Sequence, residues 1–178
     1  MRPSKKTYIL DAAVELIERE NLEAVSYEAL AEASGMSKSG IVYHFPSRYD
    51  IMRSIHHHLA GKWEEELERA AGGPAHTVDM KTRLRAVVLS QSNTATKAEL
   101  LLEIDARSNP EFSAIWADVN DRWVPSADGI EDDTELRSQY LVKVLADGLW
   151  THDHVHEQAL TPVQRQALTN HILQLLEE

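Results

Sequence analysis

The 178-residue chain is long enough for one large domain or two smaller ones, and 43% of it is hydrophobic, as in ordinary globular proteins. It contains no cysteine, which excludes disulfides, thiolate metal sites and cysteine nucleophiles. Its net charge of −11 repels nucleic acid at long range, so contact with a duplex would have to be confined to a locally neutralised patch.

The first twenty residues, MRPSKKTYILDAAVELIERE, start basic, but Asp11, Glu15 and Glu18 interrupt the apolar residues and exclude a signal-peptide core. No apolar run reaches the roughly 18 residues that a membrane span needs, so a soluble, cytoplasmic protein with no membrane partner is expected. Ile9, Ala13, Leu16 and Ile17 mark one face of a helix over about 4–20. Ser26 is a good cap for a short second helix that stops at Gly35, and Ser37 for a third that must end near Phe45, before Pro46. Ser47 can cap a fourth, in which Ile51, Ile55, Leu59, Trp63 and Leu67 recur every four residues until the Gly72–Pro74 break.

Beyond the break, Met80, Leu84, Val87 and Val88 suggest a helix, and Leu100 to Ile104 another. Asn109–Pro110 opens the next as cap and first-turn proline, with Phe112, Ile115, Trp116 and Val119 inward. Leu136, Tyr140, Leu141, Val144, Leu145 and Leu149 pattern a long amphipathic helix; Thr161–Pro162 opens a last one carrying Val163, Leu168, Ile172, Leu175 and Leu176. No strand alternation and no repeat is visible. The expected fold is all-α, with about nine helices: an N-terminal helix-turn-helix domain over 1–48 and a larger helical domain over 49–178.

The second and third helices satisfy the steric demands of a helix-turn-helix. Counting Tyr27 as one, a small residue, Ala31, stands at five where the helices touch. Gly35 stands at nine, where a positive φ is needed, and branched Ile41 at fifteen packs the second helix on the first. Between Glu32 and Asp50 only Lys38 and Arg48 are charged, although acids outnumber bases 29 to 18 over the chain. Lys38, Ser39, Tyr43 and His44 offer hydrogen-bonding groups on the exposed face, and Gly40 permits close approach. Ser26 and Ser37 place amide groups where phosphates can be held, and Arg2, Lys5 and Lys6 form a basic tail suited to phosphate or minor-groove contact. An acid on this face would meet phosphate directly.

The order of N-terminal helix, VSYEALAEASGMSKSGIVYHFPSRYDIM, long fourth helix and acidic helical remainder resembles the TetR family of bacterial transcriptional regulators. The motif match covers about residues 5–55; SKSGIVYHFPSR and the tryptophan-bearing second half look closest to actinobacterial multidrug-efflux repressors. The resemblance implies a double-stranded operator as partner. Lys38, Ser39, Gly40, Tyr43 and His44 would face the major groove and its walls, and Ser26, Tyr27 and Arg48 would contact phosphates. It also implies a homodimer through the last two helices, with recognition helices ~34–36 Å apart on a near-palindromic site. A small-molecule effector would sit among helices four to eight, for which Trp63, Trp116 and Trp150, with Leu100 and Asp147, are the candidates. Flat aromatic walls and a carboxylate would favour a planar cation. Repression rather than activation is a family expectation only.

The nine histidines raise a metal alternative. His152 and His156 are four apart, and Asp105, Asp147 and Asp153 could join a hard or borderline metal; HHH at 56–58 spreads around a helix and cannot chelate as a unit. An effector that is a metal or an anionic metabolite therefore stays open beside the cation, as does a His/Asp metal-dependent helical enzyme. Its motifs are missing: HEQAL lacks a second zincin histidine, and GMSKSGIV has phosphate-loop glycine spacing but Ile41 where lysine is required. No catalytic residues, no resident metal and no cofactor are expected.

Overall fold

A computed structural model describes residues 4–177, so Arg2 of the expected basic tail lies outside the described residues. Nine α-helices are present among them: α1 Lys5–Arg19, α2 Tyr27–Ser34, α3 Lys38–His44, α4 Arg48–Ala71, α5 Met80–Asn93, α6 Lys97–Ala106, α7 Pro110–Trp123, α8 Thr134–Val155 and α9 Pro162–Gln174. The chain forms two compact units, one from residues 1–62 and 96–116, the other from 63–95 and 117–178.

In the first unit α1 starts on Ser4, whose hydroxyl accepts from the Thr7 N–H at 3.0 Å, and buries Ile9, Ala13, Leu16 and Ile17 as the periodicity demands. Ser26 caps α2, Ser37 caps α3, and Gly35 closes α2 at φ +65°, the left-handed region that glycine enters without strain. The start of α4 is fixed twice over. The Asp50 N–H donates to Ser47 Oγ at 3.0 Å and the Ser47 N–H returns a bond to Asp50 Oδ2 at 3.1 Å. Ile41, Phe45, Ile51 and Ile55 of the same unit are buried as well. α6 begins three residues before the expected Leu100, because Thr96 and Glu99 form a capping box there.

In the second unit the core joins Val88 of α5 to Val142, Ala146 and Leu149 of α8 and Ile172 of α9. Arg165 staples these helices, donating to the Leu149 carbonyl at 3.1 Å and pairing with Asp153. The Leu160 N–H, with help from His152 and Arg165, holds the Asp153 carboxyl down at about 2. Arg122 forks onto Glu64 at 2.7 and 2.8 Å and also reaches Asp118. α8 has two apolar faces: Val142, Ala146, Leu149 and Trp150 point inward, whereas Leu141, Val144 and Leu145 stay exposed. Val163 and Leu168 of α9 are exposed as well. No helix among the described residues is long and apolar enough to cross a membrane.

Candidate nucleic-acid interface and effector region

The amphipathic split of α3 is sharp. Ile41 and the capping Phe45 are buried, while Lys38, Ser39 and Val42 are exposed and Tyr43 is 83% exposed. His44 is half-buried, its ring edge-on to Tyr43 at 5.3 Å. The side that the sequence offers to a partner is therefore open among the described residues. Tyr27 supplies the clamp that holds it: its hydroxyl donates to the Phe45 carbonyl at 2.8 Å, tying the start of α2 to the end of α3. Gly40 is constrained from its own helix, since an added Cβ would meet Ser37 Oγ at 3.2 Å.

The partners of two side chains in this region, Lys38 and Arg48, are invisible in the sequence pattern. Lys38 pairs with Glu28 of α2, whose carboxyl is held below its usual range by that bond, so the acid-free window has an acid from the preceding helix at its edge. Arg48 donates to the Leu22 carbonyl at 3.1 Å and the Val25 carbonyl at 3.4 Å, anchoring the 3-10 turn Leu22–Ala24 to the start of α4. Lys5 and Lys6 are exposed on the first turn of α1, and the Lys6 ammonium lies 5.2 Å from the Phe45 ring centre. Ser26 Oγ accepts from the Ala29 N–H at 3.1 Å and Ser37 Oγ from the Gly40 N–H at 3.1 Å, so both hydroxyls serve their own helices.

The five effector candidates divide between the units. Leu100, half-buried, and Trp116, buried, belong to the first. The Trp116 indole N–H donates to His56 Nδ1 at 2.9 Å. An indole N–H can only donate, so this nitrogen of His56 carries no proton and Nε2 holds it, facing Asp105 Oδ2 at 3.4 Å. His56 is fully buried, and burial pushes its pKa below the ordinary 6.5. As one of three histidines in a row His56 carries no local mark of this role; its place four residues after Met52, on the same helix face, is the one sequence signal.

Trp63 and Trp150 are buried in the second unit, and Asp147 of the same unit is half-buried. Asp147 accepts from Lys143 and, at 2.7 Å, from Gln91, so a cation approaching its carboxylate would compete with an ammonium already there. His152 and His156 lie 4.6 Å apart, ring centre to ring centre, but no group of three metal-capable side chains occurs among the described residues.

The family model for bacterial regulatory proteins of the tetR family matches residues 9–55, and that for the tetracyclin repressor-like C-terminal domain matches 80–177. The chain belongs to the TetR family. Members are DNA-binding transcriptional regulators rather than enzymes; they dimerise and respond to small molecules. The HTH-type transcriptional regulator AcrR of Shigella flexneri is 27% identical over 100 residues, which is 56% of this chain and 46% of AcrR. The chain thus spans less than half the length of that curated relative. A transcriptional regulator from Saccharomonospora viridis, solved in complex with choline, shares the fold with a TM-score of 0.72 at 22% identity, over 97% of this chain and 95% of its own. The multidrug binding protein EbrR, complexed with ethidium, does so with a TM-score of 0.59 at 15% identity, over 97% and 98% of the two chains.

Proposed function

We propose that this TetR-family regulator is a repressor released from a near-palindromic operator by a small aromatic or cationic effector, and that it controls a multidrug efflux gene. The observation that carries the reading is the open outer face of α3, held in place by the Tyr27–Phe45 bond and the left-handed Gly35. Residues 1–48 would carry the DNA contacts, with Lys38, Ser39, Gly40, Tyr43 and His44 on the groove. Ser26, Tyr27, Ser37, Arg48, Lys5 and Lys6 would meet phosphates; Arg48, already bonded to two carbonyls, would reach one only with its remaining N–H donors. Residues 49–178 would carry effector response and dimerisation, the latter through the exposed Leu141, Val144, Leu145 and Leu168 of α8 and α9.

The cationic class of effector rests on two supports. The second unit contains two buried tryptophans, Trp63 and Trp150, and the half-buried Asp147 carboxylate, and the S. viridis and EbrR structures hold choline and ethidium, both cations. An effector that binds a conformation with mis-spaced recognition helices must weaken operator binding by the same coupling free energy, and the operator must weaken effector binding equally. Gel shift against the promoter of its own or a neighbouring gene tests the reading, with ethidium and choline titrated into the complex. Release of the duplex by either cation supports it; a complex that withstands both excludes a cationic effector, and no complex at any promoter of the locus excludes the repressor.

A further inference from the structure

Within the first unit, α1, α4 and α7 line a cleft of about 440 Å³, of whose residues only Lys6 has a role above, as a phosphate contact. Its walls carry Lys6, Arg53, Ser54, His57 and His58, with Glu111 as the single carboxylate. Two permanent cations and two imidazoles around one acid is an unusual grouping in a chain of net charge −11.

The nearby acids neutralise it only in part. Asp11 bonds His58, one of the two cleft imidazoles, at 2.8 Å, and shares the same carboxylate with Lys62 at 2.6 Å. Asp50 spends its carboxylate on the Ser47 hydroxyl at 2.6 Å, and Glu111 takes the Tyr49 hydroxyl. Arg53 touches Asp50 and Glu111 only at 3.4 Å each, beyond good charge-assisted geometry, so most of its N–H donors stay available. Lys6 has no carboxylate partner among the described residues and rests over the Phe45 ring instead.

We propose that this cleft binds a small organic phosphate or a comparable multivalent oxyanion. Arg53 offers paired, planar N–H donors, Lys6 a point charge, and Ser54 and His57 further donors at the rim. The volume exceeds what a lone phosphate fills, leaving room for an organic remainder against Leu10. Because Lys6 packs on Phe45, the closing residue of α3, and Arg53 lies on the next helix, a bound anion would tie α1 to α4 on the body that presents the recognition helix. This site is separate from the tryptophans of the effector reading, and its binding measurement needs neither operator nor effector.

The test is calorimetric titration of the DNA-free protein with sodium pyrophosphate at constant ionic strength, paired with thermal melting. Wild type is expected to bind saturably and to melt higher, whereas Arg53→Gln and Lys6→Gln should each weaken binding at least tenfold; Lys81→Gln, in the other unit, should not. Circular dichroism and the melting temperature without pyrophosphate identify a variant that fails to fold, and the second variant then decides. Equal stabilisation of all variants would reduce the effect to general salt exclusion and overturn the proposal. Absence of heat in the wild type would also overturn it, as would lower operator affinity in both variants without pyrophosphate binding, which would assign the cleft to a DNA phosphate.

Discussion

Tyr27 and His56 show how single side chains fix the geometry on which the regulator depends. Tyr27→Phe removes only the hydroxyl that reaches the Phe45 carbonyl, so urea unfolding should show a loss of about 1 kcal/mol. An unchanged midpoint would mean that the clamp contributes nothing. His56 is a base whose folded-state pKa is depressed by burial, so the unfolded chain binds its proton more readily. Its contribution to stability is therefore complete above the ordinary value of 6.5 and is lost progressively as pH falls below it. Protonation would also set an N–H against the Trp116 N–H, while Asp105 favours the charged ring and His57 opposes it. Melting from pH 7.5 down to 5.5 should fall more steeply for the wild type than for His56→Gln; parallel curves would contradict this. The Ala31, Gly35 and Ile41 constraints were legible because they act within fifteen residues through backbone and steric demands. The His56 links to Asp105 and Trp116 span 49 and 60 residues, and no local pattern encodes them.

At the scale of elements, caps and breakers dictated most boundaries: Ser4, Ser26, Ser37, Ser47, Asn109 and Thr161 stand where helices begin. The apolar run at Leu100 places the start of α6 too far inward, whereas Thr96 and Glu99, at capping-box spacing, set it at Lys97. Glycines at two kinds of position should respond with opposite signs. Gly35 sits at φ +65° with nothing within 4 Å of an added Cβ, so Gly35→Ala should cost about 1 kcal/mol through backbone strain alone. Gly61, inside α4 with equally open surroundings, should gain about 0.5–1 kcal/mol on Gly61→Ala. Chemical denaturation distinguishes the two; a matching sign would refute the assigned conformation of one of them. The second apolar face of α8 was readable as a stripe too wide for one core, but not which residues faced which way. If the exposed side is the dimer seam, Leu145→Glu should shift the protein to monomer in light scattering at micromolar concentration while its melting cooperativity persists. A dimer that survives Leu145→Glu and Leu141→Glu together would place the seam elsewhere.

For the whole molecule, the central physical problem is that a chain of net charge −11 must approach a polyanion. The α3 surface meets it by keeping acids off the outer face, with Glu28 as the one carboxylate drawn to Lys38. Few cations are available for counterion release, so operator affinity should fall less steeply with salt than for strongly basic DNA-binding proteins. Direct contact by α3 then has to supply much of the affinity, and Tyr43 is its most exposed large side chain. Fluorescence anisotropy with a labelled operator duplex, at fixed salt, compares wild type with Tyr43→Ala, and thermal melting accompanies it. The expected result is a loss of tenfold or more in affinity, about 1.4 kcal/mol, with an unchanged melting temperature. Equal affinity for the two proteins would contradict the placement of this face against DNA.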